Sequence, residues 1–183
     1  MVKITFDTNV LPIEDLNSLV KDKPIKLSVV SVTSRELEKH SLAVELKKLN
    51  KITETAVWDE SKWGQAKWGP VIYETAVVGE SRVGESVVGS NKDVDVFEKL
   101  LEIISSGSFP KSGKRNDLSK GERRQLRDAM ILTAHIREKR DIFVTEDIKG
   151  FIGRNSEIKK KIENLFKTKI MRKKEFIKYL SNI

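Results

Sequence analysis

Cysteine is absent from this chain, which excludes disulfides and thiolate zinc sites. Histidine is nearly absent: His40 and His135 are the two imidazoles, too few for a multi-histidine metal centre. Long apolar runs are missing as well. No stretch approaches membrane-spanning length and the N-terminus carries no signal-peptide pattern, so the expected compartment is the cytoplasm and no membrane partner is expected. Acidic residues are in deficit, with 27 Asp+Glu against 35 Lys+Arg, a net charge of +8. A surplus of that size favours a polyanionic partner such as nucleic acid. The plainer account is a charged surface of the kind found in thermophilic proteins.

What is present fits one domain of 183 residues interrupted by an insertion. Apolar, β-branched runs predict strands over 2–6, 25–32, 142–145 and 168–171. Helical spacing of apolar residues predicts helices over 12–21, 34–50, 93–105, 119–139, 156–165 and 173–180. Strands that alternate with helices imply an α/β fold with a parallel sheet and right-handed crossovers.

Residues 53–92 break that pattern. Trp58, Trp63, Trp68 and Tyr73 recur every five residues, followed at the same interval by Val78, Val83 and Val88. Glu54-Thr55-Ala56-Val57 returns as Glu74-Thr75-Ala76-Val77. The period suggests a small β-rich insertion: a hairpin, a loop or a short square solenoid, the last being weak with so few stacked units. Its tryptophans suit base stacking, a protein partner or packing on the host domain.

Four carboxylates stand out, three of them at the ends or first turns of predicted elements. Asp7 closes the first strand and Asp147 follows the strand Ile142–Thr145. A buried parallel strand that ends in an acid delivers it to the carboxyl edge of the sheet, where open α/β folds bind ligands. Glu36 opens a helix in Thr33-Ser34-Arg35-Glu36, which also reads as a capping box. Asp128 lies inside a helix beside Ala129 and Met130, where an uncompensated carboxylate is costly. If the four converge, the matching occupant is Mg²⁺ or Mn²⁺, because carboxylate oxygens suit hard cations. Thr8, Asn9 and Thr145 are placed to orient the acids. For each acid a turn, cap or salt bridge is the bland alternative, and Arg124 or Arg127 is the ordinary partner for Asp128.

The segments Phe6-Asp7-Thr8-Asn9, Ser34-Arg35-Glu36-Leu37, Arg127-Asp128-Ala129 and Phe143-Val144-Thr145-Glu146-Asp147 appear in an order that resembles the PIN-domain nucleases. The resemblance covers about 140 residues on both sides of the insertion. It implies an α/β/α sandwich with a central parallel sheet and Asp7, Glu36, Asp128 and Asp147 as catalytic metal ligands. It also implies Mg²⁺- or Mn²⁺-dependent endoribonuclease activity. Members of that family include toxins of toxin–antitoxin pairs and enzymes that process ribosomal RNA. An antitoxin or other protein partner at the insertion, and a homodimer, are compatible with the sequence.

Phosphate contacts are expected from Lys111, Lys114, Arg115, Lys120, Arg123 and Arg124, which lead into the Asp128 helix, and from a second basic group at Lys159–Lys161 and Arg172–Lys174. Two rival functions stand beside the nuclease. One is a phosphatase with Asp7 as nucleophile, which would want an acid where Asn9 stands. The other is a non-catalytic basic module that binds nucleic acid or protein.

Overall fold

A computed structural model describes residues 1–13, 16–31, 33, 49–52, 54–56, 86–88, 91–111, 114–115 and 118–183. Five strands form one all-parallel sheet: β1 (Val2–Phe6), β2 (Ile25–Val30), β3 (Asn50–Ile52), β6 (Ile142–Val144) and β7 (Lys169–Met171). Their order across the sheet is β3-β2-β1-β6-β7. Two further short strands, β4 (Glu54–Ala56) and β5 (Ser86–Val88), pair parallel in a separate sheet. The described α-helices are α1 (Leu16–Val20), α2 (Asn91–Ile104), α3 (Lys120–Arg137), α4 (Glu157–Phe166) and α5 (Lys173–Ser181).

Strand alternation splits the core in two. Ile4 and Phe6 of β1, Val29 of β2, and Ile142 and Val144 of β6 face a layer completed by Phe176 and Leu180 of α5. Val30, Phe143 and Ile170 face the other way, into a larger layer built from α2, α3 and α4. The sheet is therefore covered on both faces, as the near-continuous apolar character of its strands requires. Each layer carries edge-to-face aromatic pairs: Phe6 on Phe176 at 5.4 Å in the first, Phe143 on Phe151 at 5.0 Å in the second. Such pairs add about 0.5–1.5 kcal/mol beyond the area they bury.

Most predicted elements form where the periodicity places them. α3 starts at a full capping box: the Ser119 hydroxyl accepts from the Glu122 amide, and the Glu122 carboxylate accepts from the Ser119 amide. Three differences have physical reasons. Asn50, expected at the end of a helix, belongs instead to β3, a three-residue edge strand in which Ile52 alone is apolar, too little for a periodic signal. A π-helical turn at Ile148–Ile152 and a 3-10 turn at Arg154–Ser156 join β6 to α4, and both are too short for periodicity to register. The first predicted helix shortens to α1 among the described residues. Residues 34–48 of the helix predicted over 34–50, Glu36 among them, lie outside the described residues, as do Trp58, Trp63, Trp68 and Tyr73. Of the insertion, β4 lies against α3, and the register pairs Glu54 with Ser86.

His135 and Arg140 brace the sheet through buried hydrogen bonds. His135 is fully buried between Thr5 Oγ1 (2.9 Å) and Thr168 Oγ1 (2.7 Å). Burial, helped by the Arg140 charge, pushes its pKa down to about 3, so the imidazole is neutral. Arg140 donates to the Ile4 and Lys26 carbonyls at 2.7 and 3.0 Å and ties β1 to β2. His135 is thus a core residue, held against β1 at Thr5 and packed on Phe143.

Candidate functional site

The chain leaves β1 for β2 on one side and later returns to β6 on the other, so the strand order reverses between β1 and β6. In an open parallel sheet such a reversal opens a crevice beyond the carboxyl ends of the two strands. The register sets Phe6 against Val144, so the next residues, Asp7 and Thr145, emerge side by side at that crevice. The Asp7 amide donates to the Val144 carbonyl at 2.9 Å and extends the ladder by one step.

Thr145 is the joint between the two strand ends. Its hydroxyl donates to Asp7 Oδ2 at 2.6 Å and accepts from the Asp147 amide at 3.0 Å. Asp7 Oδ1 accepts from the Thr8 amide at 2.8 Å, capping the short 3-10 turn Thr8–Val10. Asn9 crosses back to the other strand end, its Oδ1 accepting from the Glu146 amide at 2.9 Å. Both loops are therefore clamped to each other by side chains, which orients the acids without help from the surface.

Asp147 divides its two oxygens between different tasks. Oδ1 accepts from the Lys149 and Gly150 amides at 2.9 and 3.0 Å and caps the π-helical turn. Oδ2 meets the Arg124 guanidinium at 2.8 Å. Glu146 alternates to the other side, where Arg172 donates to it at 2.8 and 3.0 Å and the Lys173 amide at 2.8 Å. Partial burial raises the Glu146 pKa, but the Arg172 hydrogen bonds, the Lys173 amide and both neighbouring charges together hold it below the usual value.

Asp128 reaches the same crevice from α3. A Cβ built on Gly150 would stand 3.0 Å from Asp147 Oδ2 and 3.2 Å from Asp128 Oδ2, so both oxygens converge on one point above the glycine. Asp7, Asp128 and Asp147 are only 4%, 9% and 8% exposed. Their shared surroundings also register on Arg124. Its guanidinium is held protonated beyond the ordinary value, first by the charge of Asp147, which acts against partial burial, then by Asp128 and Asp7. Arg124 thus takes Asp147, not Asp128, as its ion-pair partner, although it lies one helical turn before Asp128.

Three of the four sequence-predicted acids therefore share one crevice; Glu36 lies outside the described residues. Their arrangement is a linked row rather than a closed cage. Among the described residues no group of three or more His, Cys, Asp or Glu side chains closes at metal-holding distance. Gly150 was not legible as a site residue. A glycine three positions after Asp147 is the available signal, and its meaning depends on Asp128 arriving from another element.

The basic residues divide. Lys111, Lys114, Lys120 and Arg123 are exposed. Arg115 is corrected from a phosphate contact to an internal brace: it is 3% exposed and grips Glu98 through two hydrogen bonds of 2.9 and 2.7 Å. It also donates to the Pro110 carbonyl and lies 5.1 Å from the centre of the Phe109 ring. Of the second group, Arg172 is held by Glu146 and Lys159 by Glu175, whereas Lys160, Lys161 and Lys174 are exposed. No helix among the described residues is long and apolar enough to cross a membrane. Comparison with models of known protein families, with curated proteins and with solved structures finds no match to this chain.

Proposed function

We propose that the protein is a PIN-like endoribonuclease that hydrolyses RNA phosphodiester bonds with the help of Mg²⁺ or Mn²⁺. The observation that carries this reading is the convergence of Asp7, Asp128 and Asp147 at the crevice between β1 and β6, around one guanidinium. The donor set suits a hard divalent cation, because it is oxygen-only and buried. The absence of a side chain at Gly150 lets Asp147 Oδ2 and Asp128 Oδ2 approach the same stretch of backbone. Asp7, Asp128 and Asp147 would hold the ion by closing in from the row that they form here, and the resemblance to PIN nucleases adds Glu36.

When bound, such an ion supplies a water of lowered pKa and offsets charge that develops on the phosphate. The chain's own residues prepare the site. Thr145 orients Asp7 by donating to Oδ2, a charge-assisted hydrogen bond. Asn9 keeps the two strand ends from drifting apart, and the Asp147 cap fixes the turn that follows β6. Lys111, Lys114 and Arg123, exposed before and on α3, suit sequence-independent binding of phosphates.

The phosphatase alternative loses support at Asn9, whose side chain is engaged with the Glu146 amide where an acid–base group would be needed. The non-catalytic alternative draws on the Arg124–Asp147 ion pair, which lowers the charge of the cluster without a cation. One experiment separates them. Defined RNA and DNA oligonucleotides are incubated with the protein and Mn²⁺ or EDTA, alongside Asp7→Asn. The nuclease reading expects Mn²⁺-dependent RNA cleavage that Asp7→Asn abolishes with melting behaviour unchanged. Cleavage that persists in Asp7→Asn, or RNA binding with no cleavage under either condition, overturns it.

A further inference from the structure

We propose that Arg124 is a displaceable counter-ion of the carboxylate crevice, occupying Asp147 Oδ2 until a divalent cation takes its place. This rests on the metal-site reading above and adds to it a built-in competitor for the metal.

Four observations carry the inference. The ion pair is asymmetric: Asp147 is buried, whereas the Arg124 side chain is 63% exposed. A guanidinium on a long stem at the mouth can leave for water at little cost, whereas its buried partner cannot follow. The pair is joined through one nitrogen, Nη2, and one oxygen at 2.8 Å, and lacks the two-point grip that Arg115 has on Glu98. Asp147 does not depend on Arg124 for its position, because the Lys149 and Gly150 amides fix it through Oδ1. Finally, Oδ2 is also the Asp147 oxygen that shares the Gly150 surface with Asp128 Oδ2, so Arg124 engages the side of Asp147 that is turned toward the second acid.

Two cations on one carboxylate oxygen repel strongly across a few ångströms of protein, and more so when one is divalent. Arg124 and a metal ion are therefore alternatives. Before the ion arrives the arginine offsets part of the charge of the three buried acids, and the same ion pair weakens the affinity for the metal. A firm structural brace predicts the reverse, because its loss would leave the acids less well ordered and the metal more weakly held.

The test is a Mn²⁺ titration by calorimetry of the full chain, stripped with EDTA, as wild type, Arg124→Ala, Arg124→Gln and Asp147→Asn, with circular dichroism to verify the fold. Removal of the guanidinium is expected to tighten Mn²⁺ binding about tenfold in both Arg124 variants, a solvent-screened share of the full repulsion. Asp147→Asn, which removes the shared carboxylate, is expected to weaken Mn²⁺ binding. Arg124→Gln retains a neutral polar side chain, so the result stands if the alanine variant folds poorly. Equal or weaker Mn²⁺ binding in a folded Arg124 variant overturns the counter-ion while leaving the metal site intact. Absence of Mn²⁺ binding in wild type and in both Arg124 variants removes the metal reading and this inference together.

Discussion

The Thr145 hydroxyl donates to Asp7 Oδ2 at 2.6 Å and joins the carboxyl end of β6 to that of β1. The same hydroxyl oxygen accepts from the Asp147 amide, so one side chain sets the positions of two acids that lie 140 residues apart. Its methyl group is incidental to this role, and its hydroxyl is essential to it.

Thr145→Val keeps the shape and deletes the hydroxyl. It leaves a buried carboxylate oxygen and a buried amide each short of a partner, a loss of about 1–3 kcal/mol. Denaturant unfolding is expected to report that loss, with Mn²⁺-dependent cleavage falling further than stability. Thr145→Ser should restore most of both. Equal stability of the valine and serine variants would show that the hydroxyl bridge contributes little.

Gly150→Ala tests the space between Asp147 and Asp128. The added methyl would press on both Oδ2 atoms, at 3.0 and 3.2 Å, and push them apart by a few tenths of an ångström. The fold should lose about 1 kcal/mol, a modest overpacking cost. Metal affinity and cleavage should drop by more than that loss accounts for. Wild-type Mn²⁺ affinity in Gly150→Ala would mean that an ion binds elsewhere.

His135 makes stability depend on pH. Its pKa in the fold is lowered to about 3 against an ordinary 6.5. The unfolded chain therefore takes up a proton that the folded one refuses. The contribution of the neutral imidazole is fully present above pH about 6.5 and declines as pH falls toward the folded pKa, by about 1.4 kcal/mol per unit. Unfolding free energies between pH about 6.5 and 5, above most carboxylate titrations, should show that slope in wild type. His135→Gln, even if less stable throughout, should flatten it.

Arg115 and its basic neighbours should respond differently to substitution. Arg115→Ala leaves Glu98 without its two-point partner and should cost about 1.5–3 kcal/mol, as hydrogen bonds to charged groups do. RNA affinity of the folded fraction should stay unchanged. Lys114→Ala should leave stability nearly constant, Arg123→Ala should lose about 1 kcal/mol with its Nε bond to the Leu118 carbonyl, and both should weaken RNA binding. Each should also reduce the salt slope by about one for every phosphate that is no longer neutralised. Filter binding over a range of salt concentrations separates the two groups.

Lys111, Lys114, Arg115 and Arg123 are equal in sequence as candidate phosphate ligands. What removes Arg115 is Glu98, which reaches it from α2 and could not be paired with it by inspection of the chain. Asp147 shows the same limit in another form. Its capping of the π-helical turn and its service to the crevice looked like alternatives in sequence, yet its two oxygens allow both at once.

The sequence by itself determined the parallel α/β fold, because buried strands and amphipathic helices write their periods into local apolar spacing. It also determined that Asp7 and Asp147 would stand at the carboxyl edge, since each directly follows its strand or comes a few residues after it. Only the tertiary structure decided which strands are neighbours, and with that the reversal between β1 and β6 that makes the edge a crevice. It alone decided that Arg124 answers Asp147 and that Gly150 lies against two carboxylates. The reason is range: propensity and periodicity act over one or two turns of chain, whereas charge pairing and steric exclusion act between atoms that only the completed fold brings together.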